Sequence, residues 1–261
     1  VLTRIRGQNY DVVFHLAAVP RVSYSVEHPL ETNDTNLTKT LVLIDACRGN
    51  VGRFVFASSS SVYGGASLLP TPETHPKSPK SPYALQKSVV EEYLKLYNEF
   101  YKLDSASLRF FNVFGPNQLG SSPYACALSA WLSKIMKNQK MRCDGDGTQA
   151  RDLCYVDNVT DCCVRAAQKS DKLNAECFNV ACGESTTNRE ILLYLCKRFP
   201  DAKICVVPER PGDVKFTLAD ISKAREMLGY EPLVLPWDGI ERTVKWYQEN
   251  WTWIKVLYAK L

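Results

Sequence analysis

Tyr83 and Lys87 stand four residues apart in Ser81-Pro82-Tyr83-Ala84-Leu85-Gln86-Lys87, downstream of Ser58-Ser59-Ser60-Ser61-Val62-Tyr63-Gly64. A proline just ahead of Tyr83 suits the first turn of a helix, and four-residue spacing puts the ammonium on the same face as the phenol. A phenol ionises near pH 10, so acting as a base near pH 7 requires about 4 kcal/mol of anion stabilisation, part of which a neighbouring ammonium can supply. A serine hydroxyl at the end of an adjacent strand would hold an alcohol in line for proton removal. The chemistry that fits is proton abstraction from a carbinol as hydride leaves the same carbon. Tyr-x-x-x-Lys alone occurs by chance in many helices. Its place after a strand that ends in serines followed by Val-Tyr-Gly is the specific part of the signal.

These residues need a scaffold. Tyr10 to Leu16 and Arg53 to Ala57 are short apolar runs of the kind that form buried parallel strands. Between them Pro29 to Arg48 carries Leu37, Leu41 and Ile44 at helical spacing, with Gly49-Asn50 as a stop. Strand, helix, strand is the βαβ unit of a doubly wound sheet. A helix over 83–101 and a strand over 105–111 make a second crossover. From Gly115 onward, Pro116, Pro123, Gly145, Gly147, Pro208, Pro211, Gly212 and Pro236 break up shorter helices such as 129–137 and 189–199. That texture predicts a smaller, loop-rich domain covering a ligand. The domain reading is an incomplete dinucleotide-binding domain over 1–115, with a return segment at about 152–182, and a mainly substrate-binding domain over 116–261. Residues 240–261 read as an amphipathic helix packed on the body of the protein.

A dinucleotide site needs a glycine-rich turn after a first strand, with an acidic residue about 20 positions on. Neither is found in these residues, so the chain reads as opening on a middle strand, and the segment taken alone is expected to show little or no turnover.

With 261 residues, 45% hydrophobic and 23% charged, the chain has an ordinary globular composition, and no run approaches the roughly 18 apolar residues of a membrane span. A net charge of +4 suits an anionic small substrate and gives no nucleic-acid footprint. The three histidines, His15, His28 and His75, stand far apart and the ten cysteines form no Cys-x-x-Cys pair, so no metal site is expected. Free thiols, with no visible leader in Val1-Leu2-Thr3-Arg4, point to the cytoplasm. His15 reads as structural, Cys154, Cys162, Cys163 and Cys196 as small hydrophobes, and Trp131, Trp237 and Trp246 as core anchors.

A longer series carries a resemblance. His15-Leu16-Ala17-Ala18, the 58–64 segment, Ser81-Pro82-Tyr83 with Lys87, Arg109 to Gly115, Gly145-Asp146-Gly147, Arg151-Asp152, Arg210-Pro211-Gly212-Asp213 and Ala219-Asp220 follow in order. With these the chain resembles extended short-chain dehydrogenases/reductases of the NAD-dependent epimerase/dehydratase group, and within it is most similar to UDP-N-acetylglucosamine 4-epimerases. The resemblance implies a Rossmann-like α/β fold, NAD as cofactor, a UDP-sugar substrate and a homodimer. It implies Tyr83 as base, Lys87 lowering its pKa and holding the nicotinamide ribose, and Ser59 on the reacting 4-hydroxyl. By the same resemblance the cofactor lies along Leu16, Ala17, Ala18, Thr35 and Ala57. Ser61 and Asn112 line the substrate, Tyr124 stands near the uridine, and Arg151 and Arg210 clamp the diphosphate. Thr217 stands at the position that limits the sugar's 2-substituent, and is small enough for an N-acetyl group. A 4,6-dehydratase of this kind carries Asp-Glu where this chain has Ser60-Ser61, so elimination is disfavoured. UDP-glucuronate 4-epimerisation or decarboxylation, and a non-catalytic binding protein, are the alternatives.

Overall fold

The structure, a computed structural model, describes residues 2–120, 122, 125–209 and 214–258. Its centre is a four-stranded parallel sheet in the order β1-β2-β3-β7, built from Tyr10–His15, Val51–Ser59, Ser105–Phe110 and Glu176–Val180. Successive side chains of a strand point to opposite faces, and β2 shows what that does to an apolar run. Phe54 and Phe56 pack on one face with Ile5, Ile44, Val90 and Leu94. Val55 faces the other side, with Ala106, Leu108, Cys162, Ala166 and Leu228. Helices α1 (Leu2–Gly7), α4 (Lys39–Cys47) and α5 (Pro82–Tyr101) therefore cover the first face, and α7 (Val156–Gln168) and α9 (Ser222–Leu228) the second. A sheet buried on both sides is why these strands read as unbroken apolar runs.

The crossover from β1 to β2 departs from the expected single helix over 29–48. After α2 (Val22–Glu27), the chain forms α3 (Pro29–Asn33), a π-helical turn over Asp34–Thr38, and then α4. Asn36 lies in that turn, buried, and its amide bonds the Val19 backbone at 2.7 and 3.0 Å and Gln86 of α5 at 2.9 Å. The widened turn directs Asn36 inward, a use for which π-turns recur at functional sites.

Beyond β3 the chain leaves the main sheet. Strands β4 (Asn112–Phe114), β6 (Ala150–Tyr155) and β8 (Ser185–Thr187) form a second sheet, and β5 (Met141–Asp144) pairs with β9 (Ile204–Val207). These pack with α6 (Ala127–Met136), α8 (Asn188–Arg198) and α10 (Pro236–Tyr258) around Phe114, Leu132, Met141, Leu153, Leu195 and Tyr247. Helix α8 starts on a capping box between Thr187 and Glu190. Trp131 is buried and Trp246 half-buried in this core, but Trp237, expected as an anchor, is exposed beside Tyr194. Strand β7 returns to the main sheet beside β3, with Phe110 opposite Val180. A buried pair ties that return: Arg53 reaches Asp104 at 2.7 Å and the carbonyls of Ala166, Lys169 and Asp171, each at 2.7 Å. Among the described residues no helix is long and apolar enough to cross a membrane, and no group of histidine, cysteine and carboxylate side chains could hold a metal ion.

Candidate active site

The serines stand where β2 ends. Ser59 is its last residue and caps the 3-10 turn Ser60–Tyr63, accepting from the Ser61 backbone at 3.2 Å and from the Ser61 hydroxyl at 2.9 Å. Gly64 follows at φ +66, and a Cβ there would meet the Ser78 carbonyl oxygen at 1.7 Å. Only glycine lets the chain reverse in that space.

Helix α5 brings the second half. Its start is determined locally by Pro82 at the first helical position and by the Ser81 hydroxyl, which accepts from the Ala84 N–H at 3.1 Å. Ser25 of α2 accepts from the Tyr83 N–H at 3.1 Å and joins the helix start to the loop after β1. Tyr83 and Lys87 are both buried on one face, with the Lys87 ammonium 5.8 Å from the Tyr83 ring centre and 4.6 Å from the Phe56 ring centre. Lys87 donates to the Ala57 carbonyl at 2.6 Å. Tyr83 and Ser59 line the same cleft, with the Ser59 hydroxyl near enough to the phenol to favour its anion. The structure thus assembles Ser59, Tyr83 and Lys87 from two elements.

Electrostatically the site is set against charge. Burial raises Tyr83 above the ordinary phenol value, and the Ser59 hydroxyl beside it offsets part of that rise. Burial pushes Lys87 down to about 8, against the nearby Glu91 carboxylate, which raises it. Tyr83 on its own therefore ionises above the pH at which Lys87 loses its proton, so the phenol gains from the lysine only while the ammonium is kept charged. His15 donates to or accepts from Thr40 at 2.8 Å, and burial together with Lys87 holds its ring down to about 4. That is the structural histidine expected from its place at a strand end.

A cleft of about 750 Å³ opens at this edge of the sheet. Ser59, Ser61, Tyr83, Asn112, Arg151 and Thr217 line it together. Thr217 donates to Asn112 at 3.3 Å and accepts from the Asp152 N–H at 3.1 Å. Asp152, buried and pushed up to about 6 by burial, binds the N–H groups of Cys182, Gly183 and Ala219 at 2.9 to 3.0 Å and so secures the wall that carries Thr217. Arg151 donates to the Ala150 and Lys215 carbonyls. Tyr124 and Arg210 lie outside the described residues.

Of the residues expected along the cofactor, Tyr83 lines this cleft, and Leu16, Ala17, Ala18, Thr35, Ala57 and Lys87 are not part of its lining. Leu16 and Ala17 follow β1 and are exposed, Ala18 and Thr35 are half-buried, and Ala57 is one residue past the β1–β2 register pair of His15 with Phe56. These residues fit the nicotinamide-ribose end of NAD: small side chains and an exposed Leu16 offer an apolar face, and Lys87 spends one of three N–H donors on Ala57. Sequence reasoning missed Arg21 and Lys80, which add two cations to the cleft, and Asn36, Ser25 and Glu91, which support it from below. The strict spacing of Tyr83, Lys87 and Glu91 at every fourth residue was the available sign of the last.

A parallel sheet covered by helices on both faces, with serine, tyrosine and lysine gathered at its carboxyl edge, defines a Rossmann-like α/β protein of the short-chain dehydrogenase/reductase kind. Residues 2–181 match the NAD dependent epimerase/dehydratase family, and the chain belongs to it. It is 36% identical over 251 residues to a putative UDP-glucose 4-epimerase of Methanocaldococcus jannaschii, covering 95% of this chain and 80% of that one. A solved UDP-N-acetylglucosamine 4-epimerase of Methanobrevibacter ruminantium, in complex with UDP-N-acetylmuramic acid, superposes with a TM-score of 0.86 at 37% identity, covering 92% of this chain and 77% of that one. A UDP-glucuronic acid 4-epimerase of Bacillus cereus, in complex with UDP-glucuronic acid and NAD, gives 0.84 at 30% identity, covering 92% and 76%.

Proposed function

We propose that this protein is a nucleotide-sugar 4-epimerase that acts on a UDP-hexosamine, interconverting UDP-N-acetylglucosamine and UDP-N-acetylgalactosamine, or the corresponding UDP-glucose pair. The observation that carries the reading is that Ser59 and Tyr83 line one cleft, with Lys87 buried on the same helix face as Tyr83, 5.8 Å from its ring centre. When bound, NAD supplies the hydride acceptor for C4 and a positive ring beside Tyr83. The Tyr83 phenolate takes the proton of the 4-hydroxyl, and the Ser59 hydroxyl holds that oxygen in line. Lys87 holds the ribose and stabilises the phenolate. Leu16, Ala17, Ala18, Thr35 and Ala57 bound the cofactor's space.

Epimerisation needs the 4-keto sugar to turn over before it is reduced on its other face. That favours a cleft that grips the diphosphate and leaves the hexose loose. Arg151 and Arg210 serve the diphosphate as planar, permanently charged groups. Tyr124 belongs to the uridine side. Ser61 and Asn112 touch the sugar, and the small Thr217 leaves room for an N-acetyl group. Ser60 and Ser61 supply no acid and base for eliminating water, which disfavours the dehydratase reaction of other family members. Arg21 and Lys80, cations beyond the one Arg151 provides, favour UDP-glucuronate 4-epimerisation as the second reading, with decarboxylation behind it.

A homodimer belongs to this proposal. Leu85, Tyr93, Leu96 and Phe100 form one exposed stripe along α5, with Val42 of α4 exposed as well, which is an apolar surface suited to a second copy of the same helices.

The test uses the natural polypeptide that carries these residues. An NMR time course with UDP-N-acetylglucosamine, UDP-glucose and UDP-glucuronate is expected to show 4-epimer formation, fastest for the first. A Tyr83→Phe variant that kept the full rate would remove the base assignment. Titration calorimetry with NAD and with UDP separates the enzyme, which binds both, from a binding protein that takes UDP alone.

A further inference from the structure

Glu91 stands one helical turn beyond Lys87 and two beyond Tyr83, on the face of α5 that packs against the sheet, and it is 1% exposed. A carboxylate taken out of water needs charged partners and hydrogen bonds. Glu91 has both. One oxygen accepts from Ser58 at 2.6 Å and from Arg109 Nε at 2.9 Å, and the other from Arg109 Nη2 at 2.8 Å and Lys77 at 3.2 Å. Ser58 immediately precedes Ser59. Arg109 also donates to the Tyr63 hydroxyl at 2.9 Å, and Tyr63 lines the cleft and donates to Asn179 at 2.7 Å.

We propose that Glu91 is a positioning residue of this site, whose carboxylate holds the proton on Lys87 and, through Ser58, sets Ser59 at the end of its strand. The inference rests on the reading of Tyr83 and Lys87 as base and support. Lys87 needs such help because its burial favours the neutral amine and Glu91 is the charge that opposes it. Around Lys87, β1 presents His15, held neutral near pH 7, and α5 presents Tyr83. Around Glu91, β3 presents Arg109, the segment before α5 presents Lys77, the 3-10 turn presents Tyr63, and β7 presents Cys177. Glu92 and Glu73 lie further out, on Lys77 and beside Arg109 and Tyr63. Without the Glu91 charge, Arg109 and Lys77 would lack their common counterion, and Lys87 would release its proton at lower pH.

The direct measurement is NMR titration of the Lys87 side chain in lysine-labelled protein, which reads the coupling whether or not the protein turns over. The midpoint is expected near 8 in the natural sequence. It should fall by about one pH unit in Glu91→Gln and stay close to its original place in Glu91→Asp. The alkaline limb of kcat/KM should move with it and be restored by the Asp variant. Should Glu91→Gln fail to fold, the pair variant Glu91→Gln with Arg109→Met no longer strands the buried guanidinium and is expected to lower the Lys87 midpoint in the same direction. A midpoint that stays put in these variants, with kcat reduced equally at every pH, overturns the proposal and leaves Glu91 as a structural tie. A midpoint that moves while the kinetic limb stays overturns the catalytic half and, with it, the role assigned to Lys87. Ser58→Ala tests the second link: kcat should fall at least several-fold with the Lys87 midpoint unchanged, and an unaffected kcat removes Ser58 from the account.

Discussion

Replacing Lys87 by Met removes a charge and keeps an unbranched side chain of similar length, so it isolates the electrostatic support of Tyr83. With the ammonium 5.8 Å from the phenol ring centre, an effective dielectric of about 20 gives an attraction of roughly 3 kcal/mol between ammonium and phenolate. At 1.36 kcal/mol per unit this is about two units of phenol pKa, out of about three needed to ionise an ordinary phenol at pH 7. Burial adds to the demand, so a second positive charge at the site must meet the rest. Lys87→Met is therefore expected to lower kcat/KM for epimerisation about 100-fold at pH 7, as an order of magnitude. The loss should shrink as the pH rises, because the acid limb moves up by about two units and hydroxide compensates for the absent charge. The assay is a pH–rate profile of 4-epimer formation followed by NMR, with far-UV circular dichroism to confirm the fold. The variant should fold well, since an apolar side chain in place of a buried ammonium is neutral or stabilising. A loss of equal size at every pH would refute the reasoning, because it would mean that Lys87 acts only by holding a ligand.

Four other outcomes follow from the same structure. Asp104→Ala strands Arg53 among three backbone carbonyls and should cost about 3–5 kcal/mol in urea unfolding, with the cleft residues otherwise untouched. Gly64→Ala combines a left-handed backbone with a carbonyl 1.7 Å from the new Cβ, and should destabilise by more than about 2 kcal/mol in the same assay while raising KM through the displaced 59–63 turn. The His15 ring should titrate in NMR with a midpoint about 4, and because its folded pKa lies below the unfolded 6.5, the stability it gives is whole above pH 6.5 and is lost as the pH falls through 4. Thr217→Tyr should reduce kcat/KM for an N-acetylated substrate by at least ten-fold and leave the unsubstituted hexose within a few-fold, measured by competing the two in one NMR sample.

How far the sequence could be read depended on which force shapes each segment. The main-sheet strands and the helix carrying Tyr83 were legible because apolar runs, a capping serine and a proline act over a few residues. The break in the 29–48 helix was not, since the π-turn exists to place Asn36 between Val19 and Gln86, partners 17 and 50 residues away in sequence. Trp237 misled for the opposite reason: its helix is amphipathic as expected, but the residue falls at the helix start, beside Tyr194, where the core does not reach. Ser59, Tyr83 and Lys87 were legible as a pattern, whereas the direction of their pKa shifts was not, because desolvation depends on depth and depth is a tertiary property.

That last difference bears on how the site works. The two groups that the proposed function charges together, Tyr83 as phenolate and Lys87 as ammonium, are buried where desolvation disfavours the charged form of each. In a site arranged in this way Tyr83 stays a neutral phenol near pH 7 until further positive charge arrives. The only buried carboxylate on that helix face, among the described residues, is Glu91, which pairs with Arg109 and Lys77 and supports the ammonium of Lys87, not the phenolate of Tyr83. On the proposed function, the remaining positive charge that Tyr83 needs comes from the nicotinamide ring of bound NAD. The phenolate would then form only with a cationic ring in place, and the pH at which Tyr83 ionises should be lower with oxidised NAD than with the reduced, uncharged form. Ultraviolet difference titration of the phenolate at about 295 nm, with each form and with Tyr83→Phe as the blank, measures this. Equal midpoints in the two forms would show that Tyr83 is charged by the protein alone, and would move the burden of stabilisation back onto Lys87.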